Sequence, residues 1–136
     1  MLPSFLSPYS ELIEEFTLSE ILQFNAHFTG FKKNILHHNH IIDLLCFSKY
    51  KNVLVKNFSS GMKQKLKIAL CLFYNKPFLF FDEPCSNLDS KTKIWYKQML
   101  AEHIENRILI IASNNDDDEI FNCTQKINIH NYILLN

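Results

Sequence analysis

Two glycines, Gly30 and Gly61, are all that the 136 residues contain. Neither glycine-rich phosphate cradle, G-x-x-x-x-G-K-[ST] or G-x-G-x-x-G, can therefore be written from this chain. An excess of charge is lacking too: 14 Lys and Arg balance 14 Asp and Glu, with a pI near 7.0. That argues against nucleic acid as a partner, because phosphate neutralisation needs a clustered basic excess. No apolar run reaches the roughly 20 residues that span a bilayer. The longest, from Ile68 to Phe81, is broken by Asn75, Lys76 and Pro77. The start, Met1-Leu2-Pro3-Ser4-Phe5, has neither the basic segment nor the long apolar core of a secretion signal, so a cytosolic address is expected. Cys46, Cys71, Cys85 and Cys123 form no C-x-x-C pair, which points to small buried hydrophobes rather than zinc ligands or disulfides.

What is present suits one α/β domain of ordinary composition, 47% hydrophobic and 21% charged. Thr17-Leu18-Ser19-Glu20 is a capping box, and Leu18, Ile21, Leu22, Asn25 and Phe28 continue it at helical spacing. After Gly30, the set Ile41, Ile42, Leu44, Leu45 predicts a second short helix, and Lys49 to Asn57 a connection. Ser59 or Ser60 can cap a third helix bearing Met62, Leu66, Ala69, Leu70 and Phe73, which Pro77 stops. Phe78-Leu79-Phe80-Phe81 and Ile108-Leu109-Ile110-Ile111 are continuous apolar runs, the pattern of parallel strands buried on both faces. Between them Asp89 caps a helix with Ile94, Trp95, Met99 and Leu100, which completes a βαβ unit. Ile127, Ile129, the pair His130-Asn131, and Tyr132 to Leu135 suggest a terminal hairpin.

Chemistry concentrates at the ends of these elements. Asp82 and Glu83 stand at the carboxyl end of a strand, where one carboxylate can hold the waters of Mg²⁺ and its neighbour can orient an attacking water. Phe58-Ser59-Ser60-Gly61-Met62 puts two hydroxyls and a glycine at a helix start, where free amides and the positive dipole end suit a phosphate oxygen. Either feature alone has a plain structural explanation. Their order decides otherwise: hydroxyl-rich helix start, helix, strand with Asp82-Glu83, then Ser86-Asn87-Leu88-Asp89, then a second apolar strand.

In that order the chain resembles the ATP-binding subunit of ABC transporters. Phe58 to Met62 is similar to the family's signature loop, Phe78 to Asp82 to its Walker B strand, Glu83 to its catalytic glutamate, and Ser86 to Asp89 to its D-loop. Ile108 to Asn115 is similar to the switch strand, with Asn114 where the family has a histidine. The region from Pro8 through Glu20 resembles the family's approach to its helical subdomain, with Pro8 near the place of the Q-loop glutamine. The family's Walker A loop and strand have no counterpart in the sequence.

The resemblance implies a partial ABC ATP-binding domain of the P-loop NTPase type. Its helical subdomain would run from about 8 to 58, and the signature, Walker B, D-loop and switch region from 58 to 136. It implies ATP and Mg²⁺ as cofactors, with Asp82 at the metal and Glu83 as base. Ser59, Ser60, Gly61 and Met62 would face the partner's γ-phosphate, Asp89 would couple the two sites, and Asn114 would take the switch role. The implied partners are a second ATPase subunit in a head-to-tail dimer and a membrane subunit docked on the helical part. The chain would then lie at the inner face of the membrane, coupling ATP hydrolysis to transport. The alternative is a half-module that keeps an interaction surface and hydrolyses nothing, or the relic of a broken ABC ATPase gene.

Three further clusters have plainer explanations. His37, His38 and His40 are expected in a solvated loop. Asp116 to Glu119 are expected in the first turn of a helix, complementing its dipole. Trp95 and Tyr96 are expected as core and surface of one helix, not as a base-stacking platform.

Overall fold

A computed structural model of the chain describes residues 4–6, 11–30, 37–114 and 116–132. Among the described residues the sheet has three parallel strands in the order β1 (Ser4–Leu6), β2 (Phe78–Asp82) and β3 (Ile108–Ala112). In register, Leu6 lies opposite Phe81, and Phe80 opposite Ile110. Between β1 and β2 the chain forms α1 (Leu18–Thr29), α2 (His38–Leu44), two 3₁₀ turns and α3 (Ser60–Leu72). A single helix, α4 (Ser90–His103), connects β2 to β3.

The capping signals work as the sequence predicts. The Thr17 hydroxyl accepts from the Glu20 amide while the Glu20 carboxylate accepts from the Thr17 amide at 2.8 Å. Ser59 caps α3 by accepting from the Met62 amide, and Asp89 caps α4 by accepting from the Thr92 amide at 2.7 Å. The expected connection 49–57 tightens into 3₁₀ turns at Ser48–Tyr50 and Val55–Asn57, held by edge contacts among Phe47, Tyr50 and Phe58.

One core joins the helices to one sheet face, with Leu18, Leu22, Ile41, Leu45, Leu66, Leu72, Leu79 and Leu100 fully buried. Each such side chain contributes about 1.5 to 3 kcal/mol by leaving water. Polar tips within the core are satisfied by helix carbonyls: the Tyr74 hydroxyl donates to Leu22 O and the Trp95 indole to Leu44 O. The Lys65 ammonium donates to Leu45 O and lies 4.5 Å from the Trp95 ring centroid. The lone arginine, Arg107, donates to the carbonyls of His103 and Cys71 at the ends of α4 and α3. Burial lowers its pKa to about 10.

Several expectations are corrected. The strands are covered on one face only: Leu79 and Phe81 are buried, whereas Phe78, Ile108 and Ile110 are 43%, 55% and 52% exposed. Their apolar runs ask for a second cover that the described residues do not supply. On α4 the buried set is Tyr96, Met99, Leu100 and His103, at i, i+3, i+4, i+7, so Tyr96 is core, Trp95 is half-buried and Ile94 is exposed. A polar tip on Tyr96 and His103 hides an apolar body from pattern reading.

The histidines open a helix rather than a loop, with the His37 ring accepting from the His40 amide. Asp116 to Glu119 lie outside any helix; Asp116 and Asp118 engage lysines instead of a dipole. Ile127 and Ile129 are exposed, and a 3₁₀ turn at Ile129–Tyr132 stands where a hairpin was expected; residues 133–136 lie outside those described. Of the cysteines, Cys71 and Cys85 are buried but Cys46 and Cys123 are exposed. The sheet also starts earlier than expected, because β1, three residues long, precedes the helical segment. Pro8 lies outside the described residues.

Candidate functional site

The carboxyl ends of β2 and β3 bring three of the sequence's candidates together. Asp82 ends β2 opposite Ala112, and Glu83 follows with its amide donating to Ala112 O at 2.9 Å. Asn114, two residues past the end of β3, donates from Nδ2 to Glu83 Oε1. Parallel strands deliver side chains from distant sequence to one edge, which is why sites gather there. Glu83 sits in the left-handed region with φ 44°, as does Asn87 with φ 62°. For a side-chain-bearing residue this conformation costs on the order of 1 to 2 kcal/mol, held in place by the turn around it.

That turn is closed by Ser86 N donating to Glu83 O and by Leu88 N donating to Cys85 O. It leads directly into the Asp89 cap of α4. The hydrogen bonds from Thr92 hold the Asp89 carboxyl below its ordinary range, so this group is an ionised cap.

Against the turn rests the start of α3. A Cβ on Gly61 would sit 3.2 Å from Asn87 O, so only glycine permits this approach without displacement. Ser59 and Ser60 are exposed, while Gly61 and Met62 are half-buried. The structure thus joins Gly61 to the Asn87 turn and joins Asn114 to Glu83, as two neighbouring groups.

Sequence reasoning missed two residues here. Gln64, 5% exposed, donates from Nε2 to Pro84 O at 3.0 Å, and Glu119, 3% exposed, accepts from Cys85 N at 3.1 Å. Glu119 was hidden inside an acidic run expected to complement a helix dipole, and Gln64 among the lysines of α3. Burial, with Glu119 next, pushes the Cys85 thiol up to about 12. Asp116 and Asp118 pair with Lys93 at 2.7 and 3.3 Å, and Asp118 also with Lys97 at 2.5 Å, fastening the segment after Asn114 onto α4. Among the described residues no three metal-ligating side chains cluster, and no helix is long and apolar enough to cross a membrane.

The strand-end Asp-Glu pair on a parallel sheet, with a serine-capped helix start packed beside it, fits a fragment of a P-loop NTPase-type core. A family model for ABC transporters matches residues 6–86, more than half of the chain. This chain belongs to the ABC transporter family, in its ATP-binding part. It is 33% identical over 95 residues to an uncharacterised ABC transporter ATP-binding protein, YybJ, of Bacillus subtilis, covering 67% of this chain and 44% of that protein. It is 31% identical over 91 residues to ABC transporter A family member 1 of Dictyostelium discoideum, of which it spans 10%. The chain therefore spans less than half the length of either relative. Among solved structures, a dimeric post-hydrolysis ATP-binding cassette bound to ADP and Pi superposes with a TM-score of 0.70 at 20% identity, over 87% of this chain and 54% of that one.

Proposed function

We propose that this chain forms the signature, Walker B and switch portion of an ATP-hydrolysing site that drives an ABC transporter, completed by a segment or chain bearing the phosphate loop. The observation that carries this reading is the contact of Asn114 with Glu83 at the joined ends of β2 and β3, beside Asp82. The oxygen-rich donor set of Asp82 and Glu83 fits a hydrated Mg²⁺. Bound Mg-ATP would supply the reactive γ-phosphoryl group and the charge that neutralises it. Asp82 would hold the hydrated metal, Glu83 would orient the attacking water and take its proton, and Asn114 would hold Glu83 in place and donate toward the phosphate. Ser59, Ser60, Gly61 and Met62 meet the γ-phosphate on a second ATPase subunit in a head-to-tail dimer, and Asp89 carries the state of one site to the other through α4.

The open face with Phe78, Ile108 and Ile110 supports a complementary piece, since an apolar sheet face of this kind is normally covered. The membrane subunit docks on the helical segment, where Phe16, just before α1, and Glu20, Gln23, Phe24 and His27 on it line an open groove. The chain then works at the cytoplasmic side of the membrane.

The test is phosphate release from the chain combined with a phosphate-loop half of a related cassette. Mg-dependent release that is lost in Glu83→Gln supports the reading. Release that Glu83→Gln leaves unchanged overturns it in favour of a non-catalytic interaction module.

A further inference from the structure

Three polar or charged side chains are buried among the described residues, namely Gln64, His103 and Glu119. Two of them grip one peptide group. Gln64 Nε2, from the second turn of α3, donates to Pro84 O, and Cys85 N donates to Glu119 Oε1. Pro84 O and Cys85 N are the two polar ends of a single peptide unit, one residue beyond Glu83. Buried carboxylates and amides are costly unless matched, so both residues are committed to this peptide and not merely near it.

From this geometry we infer that Gln64 and Glu119 are positioning residues, which clamp the Pro84–Cys85 peptide and thereby set the left-handed turn that aims Glu83. The inference rests on the functional reading above, in which Glu83 is the base, but the clamp itself can be tested without turnover. A planar peptide cannot rotate at one end alone. With its carbonyl tied to α3 and its amide to the segment after Asn114, neither of those elements can shift without dragging Glu83. Four further contacts make the second anchor firm. The Tyr96 hydroxyl donates to Glu119 O, Lys93 binds Asp116 and Asp118, and Lys97 binds Asp118. The clamp therefore links the hydroxyl-rich start of α3 to the Asn114 segment through the turn that bears Glu83.

Amide hydrogen exchange on the full chain, residue by residue, is the first measurement. In Glu119→Ala and in Gln64→Ala, exchange at Cys85 and Ser86 should accelerate at least tenfold, Ser86 N being the donor to Glu83 O. Amides of β2 and of α3 beyond its second turn should keep their rates. Glu119→Gln, which retains an acceptor oxygen, should restore most of the protection. Uniform acceleration across the core would mark a merely structural role and overturn the inference, as would unchanged exchange at Ser86. If Glu119→Ala does not fold, Glu119→Gln against Gln64→Leu reads the same pair of amides.

The second measurement uses the chain combined with a phosphate-loop half. Each alanine variant should lower kcat tenfold or more with KM for Mg-ATP within twofold. A rise in KM with kcat intact would overturn positioning. A combination without turnover in the unsubstituted chain would defeat the functional reading, and the exchange pattern would still decide the clamp.

Discussion

Asn114 reaches across 31 residues of sequence to donate its side-chain amide to the carboxylate of Glu83. The contact spans the ends of two neighbouring parallel strands. An amide can hold a carboxylate by hydrogen bonding but cannot become cationic, whereas an imidazole can do both near neutral pH. Under the proposed function this sets two opposite substitutions apart. Glu83→Gln should slow phosphate release from the completed cassette by about 10² to 10⁴-fold while sparing ATP binding. Asn114→His should raise the rate, since its ring can donate to Glu83 or the γ-phosphate and carry positive charge as that phosphate leaves. Steady-state phosphate release separates them, and a rate insensitive to both removes Glu83 from catalysis.

Much of this site was legible because each of its parts carries a local signal. Ser59 and Asp89 are caps, and Phe78 to Phe81 ends in Asp82 and Glu83 in any reading of the sequence. The clamp on the Pro84–Cys85 peptide was not legible, because Gln64 and Glu119 look like surface residues until the fold buries them. Short β1 carried no pattern, as three residues cannot show a period. The one-sided cover of β2 and β3 was misread for a different reason. The runs are as apolar as a doubly covered strand requires, so the sequence describes a cover that the described residues do not include.

The chain alone should bind Mg-ATP without a tight site. Under the proposed function Asp82 and Glu83 hold a metal and a water, but two glycines leave no nest of backbone amides, with its lysine, to grip the phosphates. Calorimetric titration should show no micromolar site for the isolated chain and should reveal one when a phosphate-loop half is added. A micromolar site on the chain alone would mean a phosphate cradle built from other residues.

β3 is an edge strand among the described residues, and its open face carries Ile108 and Ile110. Such an edge templates pairing with other chains unless a charge interrupts it. The purified chain should self-associate, and Ile110→Lys should increase the monomer fraction in sedimentation velocity. A monodisperse monomer without the substitution would show that this edge does not drive association.

The lysine and aspartate network behind the Asn114 segment predicts a stability window in pH. Hydrogen bonds from Lys93 to Asp116, and from Lys97 and Lys93 to Asp118, lower both carboxyl pKa values below their ordinary 3.8 in the folded chain. Their contribution is thus present above about pH 4 and is lost as pH falls through the lowered folded values. Lys93 is shifted the other way, raised above 10.5 chiefly by its hydrogen bond to Asp116, so its contribution is present below 10.5 and lost as pH rises past the folded value. All these side chains are a quarter or more exposed, so solvent screens the pairs and the effect should be small at high salt. Urea midpoints measured from pH 2.5 to 7 should fall on the acid side in the unsubstituted chain. Lys93→Met with Asp118→Asn should flatten that fall and remove most of its salt dependence. An acid limb of undiminished slope in the double variant would assign the acid sensitivity to other carboxylates, leaving the network no role in fastening the Asn114 segment to α4.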